Sequence, residues 1–210
     1  MAAMGSEVGP LERALPGVKI VGTGVGKVAA AANTAKTILL EQPDAIVFVG
    51  VAGGLAADLK TLSVVIASEA AQWDVDLTVI NGTAYGTLND GRQFIKLDQT
   101  GSALALEAAQ NLGFDSRIGR IVSGDVFMSD AAKAKWIRET FQADAVEMEG
   151  AAALQVADDH DVPMVLIRVI SDGADDDAAG TYTNFMEAAA ERAAQIVAKF
   201  LPAWLERLQT

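Results

Sequence analysis

Residues 163–172 read Pro-Met-Val-Leu-Ile-Arg-Val-Ile-Ser-Asp. An aliphatic, β-branched run of this length without polar alternation fits a strand buried on both faces. It ends in Ser171-Asp172. Upstream, residues 144–149 read Asp-Ala-Val-Glu-Met-Glu and run into the alanine-rich stretch 150–156. The two runs place Glu149 and Asp172 at the carboxyl ends of adjacent core strands. Open α/β sheets bind ligands at that edge. A burial-averse carboxyl at such a mouth is a candidate for a shifted pKa and for chemistry.

Outward from these segments, short apolar runs alternate with helical patterns. Strands are expected at 18–22, 44–51, 62–67, 118–122, 145–148 and 164–170. Helices are expected at 26–41, closed by Pro43, and at 102–112, 131–141 and 149–159. A long last helix spans 183–201, with Pro202 kinking or ending it. Gly53-Gly54 is expected to turn the chain sharply, and 72–101 is mixed, with turn signals at Asn81-Gly82 and Asn89-Asp90-Gly91. Strands separated by helices of ten or more residues imply an α/β fold. Its sheet is expected to be mixed, mostly parallel and flanked by helices, in one domain over 1–210.

The 210 residues carry a net charge of −12 and a pI near 4.4, which argues against nucleic acid as a partner. Hydrophobic residues make up 51%, enough for a sizeable core, and no apolar run is long enough to span a bilayer. There is no cysteine and one histidine, so neither thiolate chemistry nor a usual zinc site is expected. His160 follows Asp158-Asp159 at a helix end and reads as a surface residue. Residues 1–15 lack the basic, apolar pattern of a signal peptide, so a cytoplasmic setting is the expectation.

Three segments together resemble the nucleoside phosphorylase/nucleosidase superfamily, and most of all its methylthioadenosine/S-adenosylhomocysteine nucleosidase branch. They are Val-Ser-Gly-Asp-Val-Phe-Met at 122–128, Ala-Val-Glu-Met-Glu-Gly-Ala at 145–151 and Val-Leu-Ile-Arg-Val-Ile-Ser-Asp-Gly-Ala-Asp at 165–175. The glycine-rich pieces at 22–30 and 50–55 also fit. The resemblance implies a hydrolase that cleaves adenine from 5′-thio-substituted adenosines, without cofactor or metal, as a homodimer whose partner closes the 5′ pocket.

On that resemblance Asp172 is the acid that protonates the departing purine at N7, and Ser171 orients it. Glu149, as an acceptor-only carboxylate, takes hydrogen bonds from the ribose diol, with Met148 packed on the sugar. Phe127 stacks on the purine, the backbone of Met128 reads its edge, and Gly53 lets the backbone come close. Tyr182 stands in the 5′-substituent pocket. Glu7, in the opening loop, activates water on the face opposite the base, by analogy with inverting glycosidases. Val51 replaces a hydroxyl residue and removes one possible hydrogen bond to the acid.

The residue types alone leave other readings open. Asp172 and Ser171 also suit a helix N-cap, Glu149 a helix's first turn, Phe127 a core, and Glu7 a frayed terminus. At the level of function, three alternatives stand beside the hydrolase. One is a phosphorylase, which would need cationic donors for phosphate. The others are a futalosine-type nucleosidase and a nucleoside-binding protein without turnover.

Overall fold

The computed structural model describes residues 1–209. The elements are α1 (Gly5–Ala14), α2 (Lys27–Glu41), β1 (Ile46–Gly54), β2 (Val64–Gln72), α3 (Thr78–Asn81), β3 (Ile95–Lys96) and α4 (Gln99–Asn111). After these come β4 (Ser116–Ser123), α5 (Ala131–Phe141), β5 (Ala145–Glu147), α6 (Gly150–Asp159), β6 (Met164–Asp172) and α7 (Ala178–Leu208). The sheet order is β3-β2-β4-β5-β1-β6, and a further β2–β6 pairing closes it on itself. The long ladders, β1–β6 and β2–β4, are parallel, while β1–β5 and β2–β6 are antiparallel. This is the expected mixed sheet flanked by helices.

Every residue of β6 is buried, because the strand has a helical layer on each side. Val165, Ile167 and Val169 pack with Val197, Phe200 and Trp204 of α7. Met164, Leu166 and Ile170 pack with Ala151, Leu154 and Ala157 of α6. Arg168 falls among the second set in the alternation, so the fold carries a guanidinium into its core. A burial of that kind demands a partner of opposite charge.

Several expectations need correction. Residues 18–22 do not form a strand; only Gly22 bridges, to Ala2. Met1–Ala3 bond instead to both neighbours: Met1 N donates to the Val47 carbonyl at 2.7 Å and Val49 N–H to that of Met1 at 3.0 Å, while Ala2 N–H donates to the Val21 carbonyl at 3.1 Å and Thr23 N–H to that of Ala2 at 2.8 Å. Beside these residues, Val18, Ile20, Ile46 and Val47 line an apolar cavity of about 310 Å³. Gly53-Gly54 does not turn: β1 continues through it, with a register shift against β6 between Ala52 and Gly53, and Gly53 pairs with both Asp172 and Val146. β5 and β6 are not adjacent, since β1 lies between them and runs antiparallel to β5. Pro202 does not end α7. The buried Leu201 and Trp204 on either side of it hold the last turns against the core. Finally, Glu7 sits in a helix rather than a loop.

Among the described residues no helix is long and apolar enough to cross a membrane. His160 caps α6 and is exposed, as expected.

Candidate active site

The topology brings three distant carboxyls to one cavity. Its floor is Val49–Gly53 of β1, and its volume is about 370 Å³, the size of a small-molecule site. Because β1 pairs with β6 on one side and β5 on the other, the ends of both neighbours converge on Gly53. Asp172 ends β6. Glu149 is the N-cap of α6, just past β5. Glu7 enters from the first turn of α1.

Asp172 is buried, and Ser171 donates its hydroxyl to Oδ2 at 2.7 Å. Ala174 N–H donates to Oδ1 at 2.9 Å. Burial pushes its pKa up, and the two hydrogen bonds partly oppose that. A Cβ at Gly53 would lie 2.8 Å from the Ala174 Cβ and 3.1 Å from Asp172 Oδ1. Gly53 therefore works by close approach, not by a turn.

Glu7 is 2% exposed, which excludes a frayed terminus. Its Oε2 accepts from Ala3 N–H at 3.0 Å and Met4 N–H at 2.9 Å, reaching back over the helix start as a capping box does. Its Oε1 accepts from Val51 N–H at 3.1 Å. Burial raises its pKa, against the attraction of Arg168 and these three amides. A Cβ on Gly50 would lie 2.9 Å from Glu7 Oε1 and 3.0 Å from Arg168 Nη1. Only glycine leaves those two groups room.

Glu149 is also buried, and its Oε1 accepts from Gly26 N–H at 2.8 Å. Gly26, at φ 94°, occupies a conformation that only glycine adopts freely. Burial and the neighbouring Glu147 push Glu149 up to about 7, against the pull of Arg168.

The opposite end of the cavity is aromatic. Phe127 and Tyr182 meet edge to face, with ring centroids 5.7 Å apart. Phe127 is 41% exposed, so it belongs to the mouth rather than the core. The Tyr182 hydroxyl donates to Met4 Sδ at 3.1 Å. Met128 and Met148 complete the lining. All nine residues singled out from the sequence thus face this cavity: Glu7, Gly53, Phe127, Met128, Met148, Glu149, Ser171, Asp172 and Tyr182.

Sequence reasoning missed the group beneath it. Arg168, 1% exposed, donates through Nε and Nη2 to Glu147 Oε2 and stacks over Phe48 at 4.8 Å. The signal was present, since an arginine inside an apolar strand must be paired. Among the described residues no cluster of three or more His, Asp or Glu is arranged to hold a metal ion.

A family model described as "Phosphorylase superfamily" matches residues 16–202. A 5′-methylthioadenosine/S-adenosylhomocysteine nucleosidase from Halalkalibacterium halodurans is 38% identical over 181 residues, 86% of this chain and 78% of that protein. The solved structure of the Neisseria meningitidis enzyme of that name, in complex with methylthio-immucillin-A, superposes with a TM-score of 0.91. Its identity is 33%, with 96% of each chain covered. A futalosine hydrolase mutant from Helicobacter pylori also superposes at 0.91, with 29% identity and 96% of each chain covered.

Proposed function

The chain belongs to the phosphorylase superfamily, and from that premise we propose that it hydrolyses the N-glycosidic bond of adenine nucleosides, those with a 5′-thio substituent above all. The observation that carries this reading is one cavity lined by Asp172, Glu149 and Glu7, with Phe127 and Tyr182 at its mouth.

The chemistry follows from what each group can do. As the bond between C1′ and the purine breaks, its electrons move onto the base and positive charge grows on the sugar. Asp172, whose pKa burial raises, gives its proton to N7 of the leaving base. Glu149 accepts hydrogen bonds from the ribose hydroxyls and places negative charge beside the developing cation. Met148 packs on the sugar. Phe127 stacks on the purine, and Met128 offers backbone groups to its edge. Water attacks C1′ and loses its proton to Glu7, whose burial raises its pKa while three amide donors and Arg168 favour the carboxylate. The products are adenine and the free sugar.

A phosphorylase needs a cationic cradle for phosphate. Here Glu7 stands at the nucleophile's place, and Arg168 is already bonded to Glu147, which supports water. The futalosine hydrolase neighbour keeps a second substrate class in view, because a bulkier 5′ group would leave the base and ribose contacts unchanged. A homodimer in the cytoplasm belongs to the same reading. The dimer is supported by half-exposed apolar side chains that line the cavity, Val25, Val126 and Phe127, which a second copy would cover while closing the 5′ pocket.

The test is a panel of adenosine, inosine, methylthioadenosine, adenosylhomocysteine and a futalosine-type nucleoside, with and without phosphate. Adenine and free sugar from the thio-nucleosides, unaffected by phosphate, is the expected result. Sugar 1-phosphate appearing only with phosphate would make it a phosphorylase, and binding without release of base would make it a binding protein.

A further inference from the structure

Of the four carboxyls that line the cavity, Glu147 accepts the most hydrogen bonds. It takes Arg168 Nε at 3.1 Å together with Nη2, Gly150 N–H at 2.7 Å, Glu149 N–H at 3.1 Å and the Ser123 hydroxyl. Ser123 in turn accepts from Ala151 N–H at 2.7 Å. One side chain therefore pins the first turn of α6, from which Glu149 projects, and holds the buried cation below the cavity. The ion pair is 1% and 2% exposed at its two side chains.

The charges that face Glu149 come from every element packed around it. α1 contributes Glu7, β5 contributes Glu147, β6 contributes Arg168 and Asp172, and α7 contributes Tyr182. The residue before α2 contributes the Gly26 amide. The amino group of Met1 also faces Arg168 and Glu7, and burial pushes its pKa down to about 5. One guanidinium thus answers three glutamates, and of the three it hydrogen-bonds to Glu147.

We propose that Glu147 is a positioning residue that, by taking the hydrogen bonds of Arg168, sets the pH at which the sugar-binding carboxyl ionises. Sugar binding is thereby coupled to release of a proton. The inference rests on the reading of Glu149 as the ribose ligand. The argument is Coulombic: Arg168 shared with Glu147 compensates Glu149 only weakly, and burial keeps the uncompensated carboxyl protonated. If Glu147 lost its charge, the guanidinium would answer Glu149 and Glu7 alone.

The unmodified protein tests this first, by calorimetry near pH 7 in buffers of different ionisation enthalpy. A non-hydrolysable 5′-thioadenosine analogue should release a fraction of a proton on binding that free adenine does not. Equal proton exchange for analogue and adenine overturns the inference. The second arm reads the pH midpoint of KM for the nucleoside. Glu147→Gln should lower it by about one unit or more, and Arg168→Gln should raise it. Glu147→Asp, which keeps the charge, should stay nearest the original. A midpoint unmoved in Glu147→Gln, whatever the change in KM itself, makes Glu147 merely structural. Failure of the underlying reading looks different: Glu149→Gln would then bind nucleoside and adenine as the unmodified protein does.

Discussion

The two ends of the cavity are built in opposite ways. At the base end, Asp172 is held by Ser171 and Ala174, its neighbours in the chain. At the sugar end, Glu7 is held by Val51 from 44 residues away as well as by its neighbours Ala3 and Met4, and Glu149 by Gly26 from 123 residues away. Arg168 serves both ends of that assembly from beneath. The acid's support is written locally and forms whenever β6 ends in a turn. The sugar end exists only once α1, β1, β5, β6 and the loop before α2 have all closed on one another. Substitutions at the base end should therefore change chemistry with little effect on assembly, whereas those at the sugar end should move binding, stability and pH dependence together.

The largest effect belongs to the acid. Asp172→Asn keeps the size and can still meet Ala174 N–H, but it has no acidic proton to give. Turnover should fall by about 10²–10⁴-fold, with nucleoside affinity within about threefold, measured by adenine release and calorimetry. A parallel loss of affinity would mean the base end is not merely local.

Glu7→Gln comes next, with turnover lower by about 10²-fold. Its amide NH₂ must also face one of the three N–H donors that now surround the carboxylate. The melting temperature should therefore fall as well, unlike that of Asp172→Asn. Equal melting temperatures for the two variants would erase the contrast between the ends.

Glu149→Gln should weaken nucleoside binding by about 10- to 100-fold, since a hydrogen bond to a charged group is worth about 1.5–3 kcal/mol, and leave free adenine unaffected. The same variant sharpens the comparison through pH. Burial raises Glu149 from 4.5 to about 7 in the folded chain. A group raised in this way favours the fold fully below its unfolded pKa and loses that contribution as pH rises through the folded value. Thermal denaturation should therefore show Glu149→Gln gaining on the unmodified protein between pH 5 and pH 8. A constant difference across that window would mean Glu149 is not held protonated by its surroundings.

The smallest effect is at the mouth. Tyr182→Phe removes a hydroxyl whose protein partner is Met4 Sδ, and kcat/KM for methylthioadenosine should stay within about threefold. A larger change would mean the hydroxyl meets the 5′ group itself.

The same contrast explains what the sequence made legible. The run at 163–172 reveals a doubly buried strand, and helix 131–141 is readable to the residue, because capping by Asp130 and apolar spacing are local properties. Gly53 and Gly54 resemble a turn in isolation, yet lie in a strand because the β1 backbone there must pass under Ala174 and Ile170. Pro202 resembles a stop, yet the packing of Trp204 overrides it. Glu147 and Glu149 occupy one short motif, and residue type alone does not separate them; the resemblance gives a role to Glu149 only. The direction in which each points depends on Arg168, and that pairing appears only when β5 and β6 flank β1. The α1 helix was missed because a stretch with Gly5, Gly9 and Pro10 has little helical preference of its own. Glu7 capping and the burial of Leu11 hold it in place.

The most direct test of the account compares two leaving groups. Asp172→Asn and the unmodified protein are assayed side by side on methylthioadenosine, whose base must be protonated to depart, and on p-nitrophenyl riboside, whose leaving group needs no proton. If Asp172 donates a proton to the purine, the variant's loss is orders of magnitude on the first substrate and at most about tenfold on the second. Equal losses on both would contradict proton donation and leave Asp172 as a residue that shapes the cavity.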